Sequence, residues 1–108
     1  MTKVQLDEVI DALFELSDKE KQKQLWVVGE DGEISSFTEA ICGVFDDGGI
    51  TQALERGQLD KSLHDRFNEL KRIVDQIPEN LHPDRIIEHP SMPRIRVVAS
   101  DLLGMLKS

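Results

Sequence analysis

Apolar residues recur along this chain with a helical period. Val4, Leu6, Val9, Ile10, Leu13, Phe14 and Leu16 fall at helical spacings, which predicts an amphipathic helix over 3–16. Ser17-Asp-Lys-Glu20 has the form of a capping box and opens a second helix that runs to Val28 and stops at Gly29. Leu25-Trp26-Val27-Val28 reads equally well as a short strand, being apolar, partly β-branched and followed by the turn-rich Gly29-Glu30-Asp31-Gly32. Asp31-Gly32 is a hairpin-turn dipeptide, with Glu33-Ile34-Ser35 as the return strand. The pattern leaves both open: a helix end, or one small β-hairpin near residues 25–35.

Beyond that point the reading is helical. Ser36-Phe-Thr-Glu39 is a second capping box, and Phe37, Ile41, Val44 and Phe45 predict a helix over 37–46 that Gly48-Gly49 ends. A short helix follows at 50–56, broken near Gly57. Asp60 is placed to cap the strongest element, in which Leu59, Leu63, Phe67, Leu70, Val74 and Ile77 form one apolar stripe halted by Pro78. Residues 78–93 hold all four prolines and predict a structured crossing loop with one helical turn at Asp84–Glu88. Ser91 caps a last helix that tolerates Pro93 in its first turn and buries Ile95, Val98, Ala99, Leu102, Met105 and Leu106. The expected architecture is mainly α, a single-domain bundle of four to six helices over 1–108.

Charge adds a direction to this picture. Residues 1–60 carry fourteen Asp/Glu against five Lys/Arg, whereas residues 61–108 carry seven against eight. The net −8 opposes direct binding to nucleic acid, which needs cations to displace phosphate counterions, and opposes anionic membranes too. Apolar runs of about four residues fall far short of the roughly 20 that span a bilayer. The first residues show no cationic-then-apolar signal pattern, and the single cysteine, Cys42, excludes an intrachain disulfide framework. A cytoplasmic protein is the expectation.

Catalytic and metal-binding signatures are scarce. Gly29–Glu39 resembles the second half of a calcium loop, but Val27, Gly29 and Thr38 would stand where ligand oxygens are required. His82 and His89, each before a proline, could converge on a metal with Asp84 or Glu88, which keeps a metal-dependent enzyme as an alternative. His64 reads as a helix-flank residue and Cys42 as a small apolar one. No nucleophile elbow, phosphate loop, dinucleotide fingerprint or His-Glu-x-x-His is present. The expectation is a protein without catalysis or cofactor.

The carboxylates remain. Asp18, Glu20 and Glu39 sit near helix starts, where they are stabilising, and are set aside. Glu30, Asp31 and Glu33 form one acidic turn and Asp46-Asp47 another, on either side of one helix; Trp26 beside the first is a core plug or an interface anchor. These six residues are the candidate surface for a basic protein partner. The 59–77 stripe offers a different reading, a structural or regulatory homodimer joined through an apolar helix face.

One resemblance bears on the choice. The order Trp26-Val27, Phe45-Asp46-Asp47, Leu59-Asp60 at the head of a long helix, His89-Pro90, then Ala99, Leu102-Leu103 and Leu106 in a final helix is similar to small acidic bacterial immunity proteins. Those belong to contact-dependent inhibition and polymorphic toxin systems. The resemblance implies a cytosolic, non-enzymatic protein that binds a toxin domain and occludes it.

Overall fold

Four longer helices enclose one core in the computed structural model, which describes residues 5–28, 36–78 and 80–107. They are α1 (Leu6–Ser17), α3 (Phe37–Phe45), α5 (Lys61–Val74) and α7 (Met92–Lys107). Three short helices link them: α2 (Lys19–Gln22), α4 (Ile50–Glu55) and α6 (Pro83–Ile87). A π-helical segment, Lys23–Val28, extends α2. The expected four to six helices thus become seven α-helical segments among the described residues, because α2, α4 and α6 are short linking helices beside the four of the bundle. The mainly α architecture is as the periodicity predicts.

Side-chain spacing explains the packing order. In α1, Val9, Ala12, Leu13 and Leu16 are buried, and this stripe lies between α3 and α7. Phe67, Leu70 and Val74 of α5 face Met92, Ile95, Val98 and Leu102 of α7 across a shared core. Phe45 at the end of α3 meets Phe67 edge-to-face with ring centroids 6.5 Å apart, so the row α3, α1, α7, α5 closes on itself. The radius of gyration, 13.3 Å, is close to the about 13 Å of one domain of about 100 residues. The stripe offered for a homodimer is occupied: Phe67, Leu70, Val74 and Ile77 are buried in this chain's own core, with Leu59 and Leu63 packed partly buried against it.

Residues 25–28 are helical, not a strand. The first strand of the alternative hairpin is thereby excluded, and its return strand, 33–35, lies outside the described residues. Tertiary contacts account for the outcome. Gln22 is fully buried; its side-chain amide donates to the Leu16 carbonyl at 2.8 Å and its carbonyl accepts from Arg96 Nε at 3.2 Å. Arg96 also donates to the Ile87 carbonyl at 2.8 Å. This network fixes α2 against α1, α6 and α7, and partial burial lowers the Arg96 pKa from its ordinary value. One turn on, Trp26 is buried edge-to-face on Phe37, with centroids 5.8 Å apart. A strand at 25–28 would carry Trp26 off that contact.

Helix starts differ in one register from expectation. Asp18, not Ser17, caps α2, accepting from the Glu20 and Lys21 amides at 2.9 and 3.2 Å. Ser17 instead donates back to the Phe14 carbonyl, ending α1. Ser36 caps α3 through the Glu39 amide, at 3.1 Å, as expected. Asp60 occupies the N-cap position of α5 without a side-chain cap bond. The Ser91 carbonyl accepts from Ile95, so Ser91 sits where a cap would, but its hydroxyl donates to Gln76. Helix α5 ends at Val74, and two tight turns carry the chain through Ile77 to Pro78.

Glu69 ties α5 to α7. Its carboxylate accepts from Arg94 Nε at 3.1 Å and from Arg66 at 2.8 Å. The Arg94 bond, then the Arg66 bond, hold its pKa below its ordinary value of 4.5, against the opposing effect of burial. A depressed folded pKa means stability that is present above the unfolded value and lost as pH falls through the folded one. Glu69→Gln is expected to lower unfolding free energy near neutral pH by about 0.5–1 kcal/mol. That deficit should disappear on acidification below the ordinary value of 4.5, as urea melts of both proteins across the acid range would record.

Candidate functional site

A concavity runs between α1, the α2 region and α3. On α1, Glu8, Asp11 and Glu15 recur at spacings of three and four, flanking the buried stripe. Glu39 and Asp47 come from α3 and the turn after it. Ala12, Ala40 and Gly43 make a small-residue floor, and Lys21, Leu25 and Phe14 close the third side of a groove of about 480 Å³. Among the described residues five carboxylates and one cation, Lys21, line this groove.

Close helix approach creates this geometry. A Cβ added at Gly43 would lie 3.1 Å from the Ala12 Cβ, so α3 rests on α1 at a point where both side chains are minimal. Lys21 Nζ stands 5.5 Å from the centroid of the Phe14 ring, which keeps 43% of its surface exposed. Glu15 is almost wholly buried, at 7%. Glu8, Asp11, Glu39 and Asp47 are exposed.

The structure redistributes the six sequence candidates. Asp46 and Asp47 are exposed at the end of α3, and Asp47 lines the groove. Trp26 is a core side chain at 6% exposure, which matches the core plug of its two readings rather than the interface anchor. Glu30, Asp31 and Glu33 lie outside the described residues. Three groove carboxylates, Glu8, Asp11 and Glu15, were not candidates. Their helical spacing beside Val9, Ala12 and Leu16 was the available signal. Glu39 was set aside as a capping residue, yet the cap uses its amide, and its carboxylate lines the groove.

No family model, curated protein or solved structure matches this chain.

The histidines have local roles. Nδ1 of His82 accepts from the Asp84 amide at 3.3 Å, capping α6, and Nδ1 of His89 accepts from the Ser91 amide at 3.1 Å, just before α7. Each His-Pro pair thus shapes a helix entry. Among the described residues no three His, Cys, Asp or Glu side chains gather as a metal site. Among the same residues no helix is long and apolar enough to cross a membrane.

Asp46 and Asp47 stand at the C-terminal end of α3, where a carboxylate is unfavourable to that helix. Asp46 is the C-cap residue of α3 and Asp47 follows it, at the negative end of that helix's dipole. Replacing both by Asn should raise stability by about 0.3–1 kcal/mol at low ionic strength. Added salt should shrink the gain. Denaturant midpoints at two salt concentrations check both parts.

Proposed function

We propose that this chain is a non-enzymatic, cytoplasmic protein-binding module that takes a basic protein partner onto its acidic α1–α3 face. One observation carries the reading: the exposed carboxylates of Glu8, Asp11, Glu39 and Asp47, from two helices and a turn, line a single groove in which Lys21 is the one cation among the described residues. Clustered carboxylates repel one another, and Asp47 also opposes a helix dipole. Such charges are explained by what they meet. A complementary basic surface turns mutual repulsion into attraction, steers encounter and fixes register.

The resemblance to bacterial immunity proteins gives this module a biological form. In that reading the chain occludes a toxin domain stoichiometrically, and a nuclease toxin, basic because it grips phosphate, suits the groove's charge. Net −8 disfavours nucleic acid and anionic membrane as partners of the chain itself.

The test begins with the gene. A secreted-toxin reading frame beside it would supply the partner, and stopped-flow mixing of the two proteins would supply the rate. Raising salt from about 0.05 to about 0.5 M should slow association by on the order of tenfold or more, leaving dissociation less changed. Charge reversal at Glu8, Asp11 and Asp47 together should reproduce that loss at low salt. An association rate indifferent to both would remove the electrostatic reading.

A further inference from the structure

We infer that Lys23–Val28 is a conformational switch with two helical registers: a π register with Trp26 seated on Phe37, and an α register with the indole released. Leu25 lies inside this segment and lines the α1–α3 groove, so the register sets the shape of that groove's third side. The inference does not depend on what the groove binds.

The segment departs from the geometry of the α-helix that it extends. A π-helix makes i→i+5 bonds where an α-helix makes i→i+4 bonds. Such turns are rare, so contacts outside the backbone hold this one. Those contacts are unevenly spread. Just upstream, Gln22 is fully buried and bonded to Leu16 and Arg96. Within the segment Lys23, Gln24 and Val27 are exposed and Leu25 is half-buried. Trp26 is the one buried side chain among those described there. It meets Phe37 edge-to-face at 5.8 Å, and the segment also borders α6.

The Trp26 seat is opposed from within. The indole Nε1–H is shut from water and has no hydrogen-bond acceptor among the described residues. A buried donor without an acceptor is penalised, and the penalty vanishes once the group reaches water. Ring packing and apolar burial favour the π register. The unmet donor and the i→i+5 geometry oppose it. Packed interiors answer such opposition by moving between discrete arrangements, not by stretching.

Gln22 fixes the end from which the second register grows. An α-helix advances about 100° per residue and a π-helix less, so the difference accumulates along the segment. On closing the i→i+4 ladder, Trp26 turns off Phe37, its N–H meets water, and Leu25 turns away from its place in the groove.

Trp26 is the only tryptophan in the chain, so its indole reports the switch directly. In the wild-type chain the indole N–H should exchange with solvent at least about tenfold faster than the slowest core amides, with little dependence on low urea. Relaxation dispersion should show one exchange process shared by that N–H and the amides of residues 23–27, with the Gln22 amide quieter. Phe37→Leu removes the ring contact and keeps the site apolar. It should raise acrylamide quenching of Trp26 by at least about threefold. Overhauser contacts between residues four apart should replace those between residues five apart over the segment. If the indole N–H exchanges only through global unfolding and the dispersion is flat, the segment has one register and the inference fails. That arm holds even where Phe37→Leu does not fold. If residues 23–27 of folded Phe37→Leu keep the five-apart contacts, Phe37 does not select the register. If they lose helical contacts altogether, the event is local fraying, and the switch is again overturned.

Discussion

Where Gly48 lies against Val9, the distance between α1 and α3 is set. A Cβ at Gly48 would fall 2.5 Å from Val9 Cγ2 and 2.5 Å from the Val44 carbonyl oxygen, closer than real atoms approach. The Gly48 carbonyl accepts from the Gln5 amide at 2.9 Å, so the same residue pins the start of α1. Gly49, at φ 80°, then turns the chain into α4 in a conformation that glycine adopts without a Cβ clash. Further along the same seam Gly43 sits over Ala12. This approach brings the carboxylates of α1 beside Glu39 of α3 and Asp47 of the turn after it, and it leaves a floor of small residues between them.

A second constraint holds the opposite side of α1. Gln22 satisfies both ends of its buried amide, toward Leu16 and Arg96, and Arg96 reaches on to Ile87. Buried polar groups with partners specify one arrangement, because any shift leaves a donor or acceptor unmet at a cost of about 1–3 kcal/mol. The network therefore fixes the path of the chain out of α1. That path brings Lys21 and Leu25 to the groove and sends Trp26 inward to Phe37. Fold and candidate site share the same few contacts.

Much of this was legible in the sequence. Apolar residues at spacings of three and four located all four bundle helices, since a helix that must bury one face writes that period into its residues. Ser36, Gly48-Gly49 and Pro93 marked ends through local backbone chemistry, which needs no knowledge of the rest. Leu25-Trp-Val-Val28 was not legible. Its β-branched residues favour a strand, and the Trp26–Phe37 contact, with the bonds that hold Gln22 to Leu16 and Arg96 one turn earlier, overrides that local preference. The Ser17 and Asp18 registers differ by one residue, and either oxygen can cap. The groove was the least legible feature. Glu8, Asp11 and Glu15 become neighbours of Glu39 and Asp47 only once α1 lies along α3, and linear order assigned Glu39 to a cap.

If the α1–α3 approach governs both fold and groove, the most direct measurement compares two glycine substitutions by urea denaturation. Gly104, exposed in α7 with nothing within 4 Å of an added Cβ, is the reference. Gly104→Ala should stabilise the chain by about 0.5 kcal/mol through helix propensity. Gly48→Ala should destabilise it by about 1–3 kcal/mol, because carbonyl oxygens and Val9 must move apart to admit the methyl group. Equal stability of Gly48→Ala and the unmodified chain would contradict the account, since the contact that sets the helix spacing would then be dispensable.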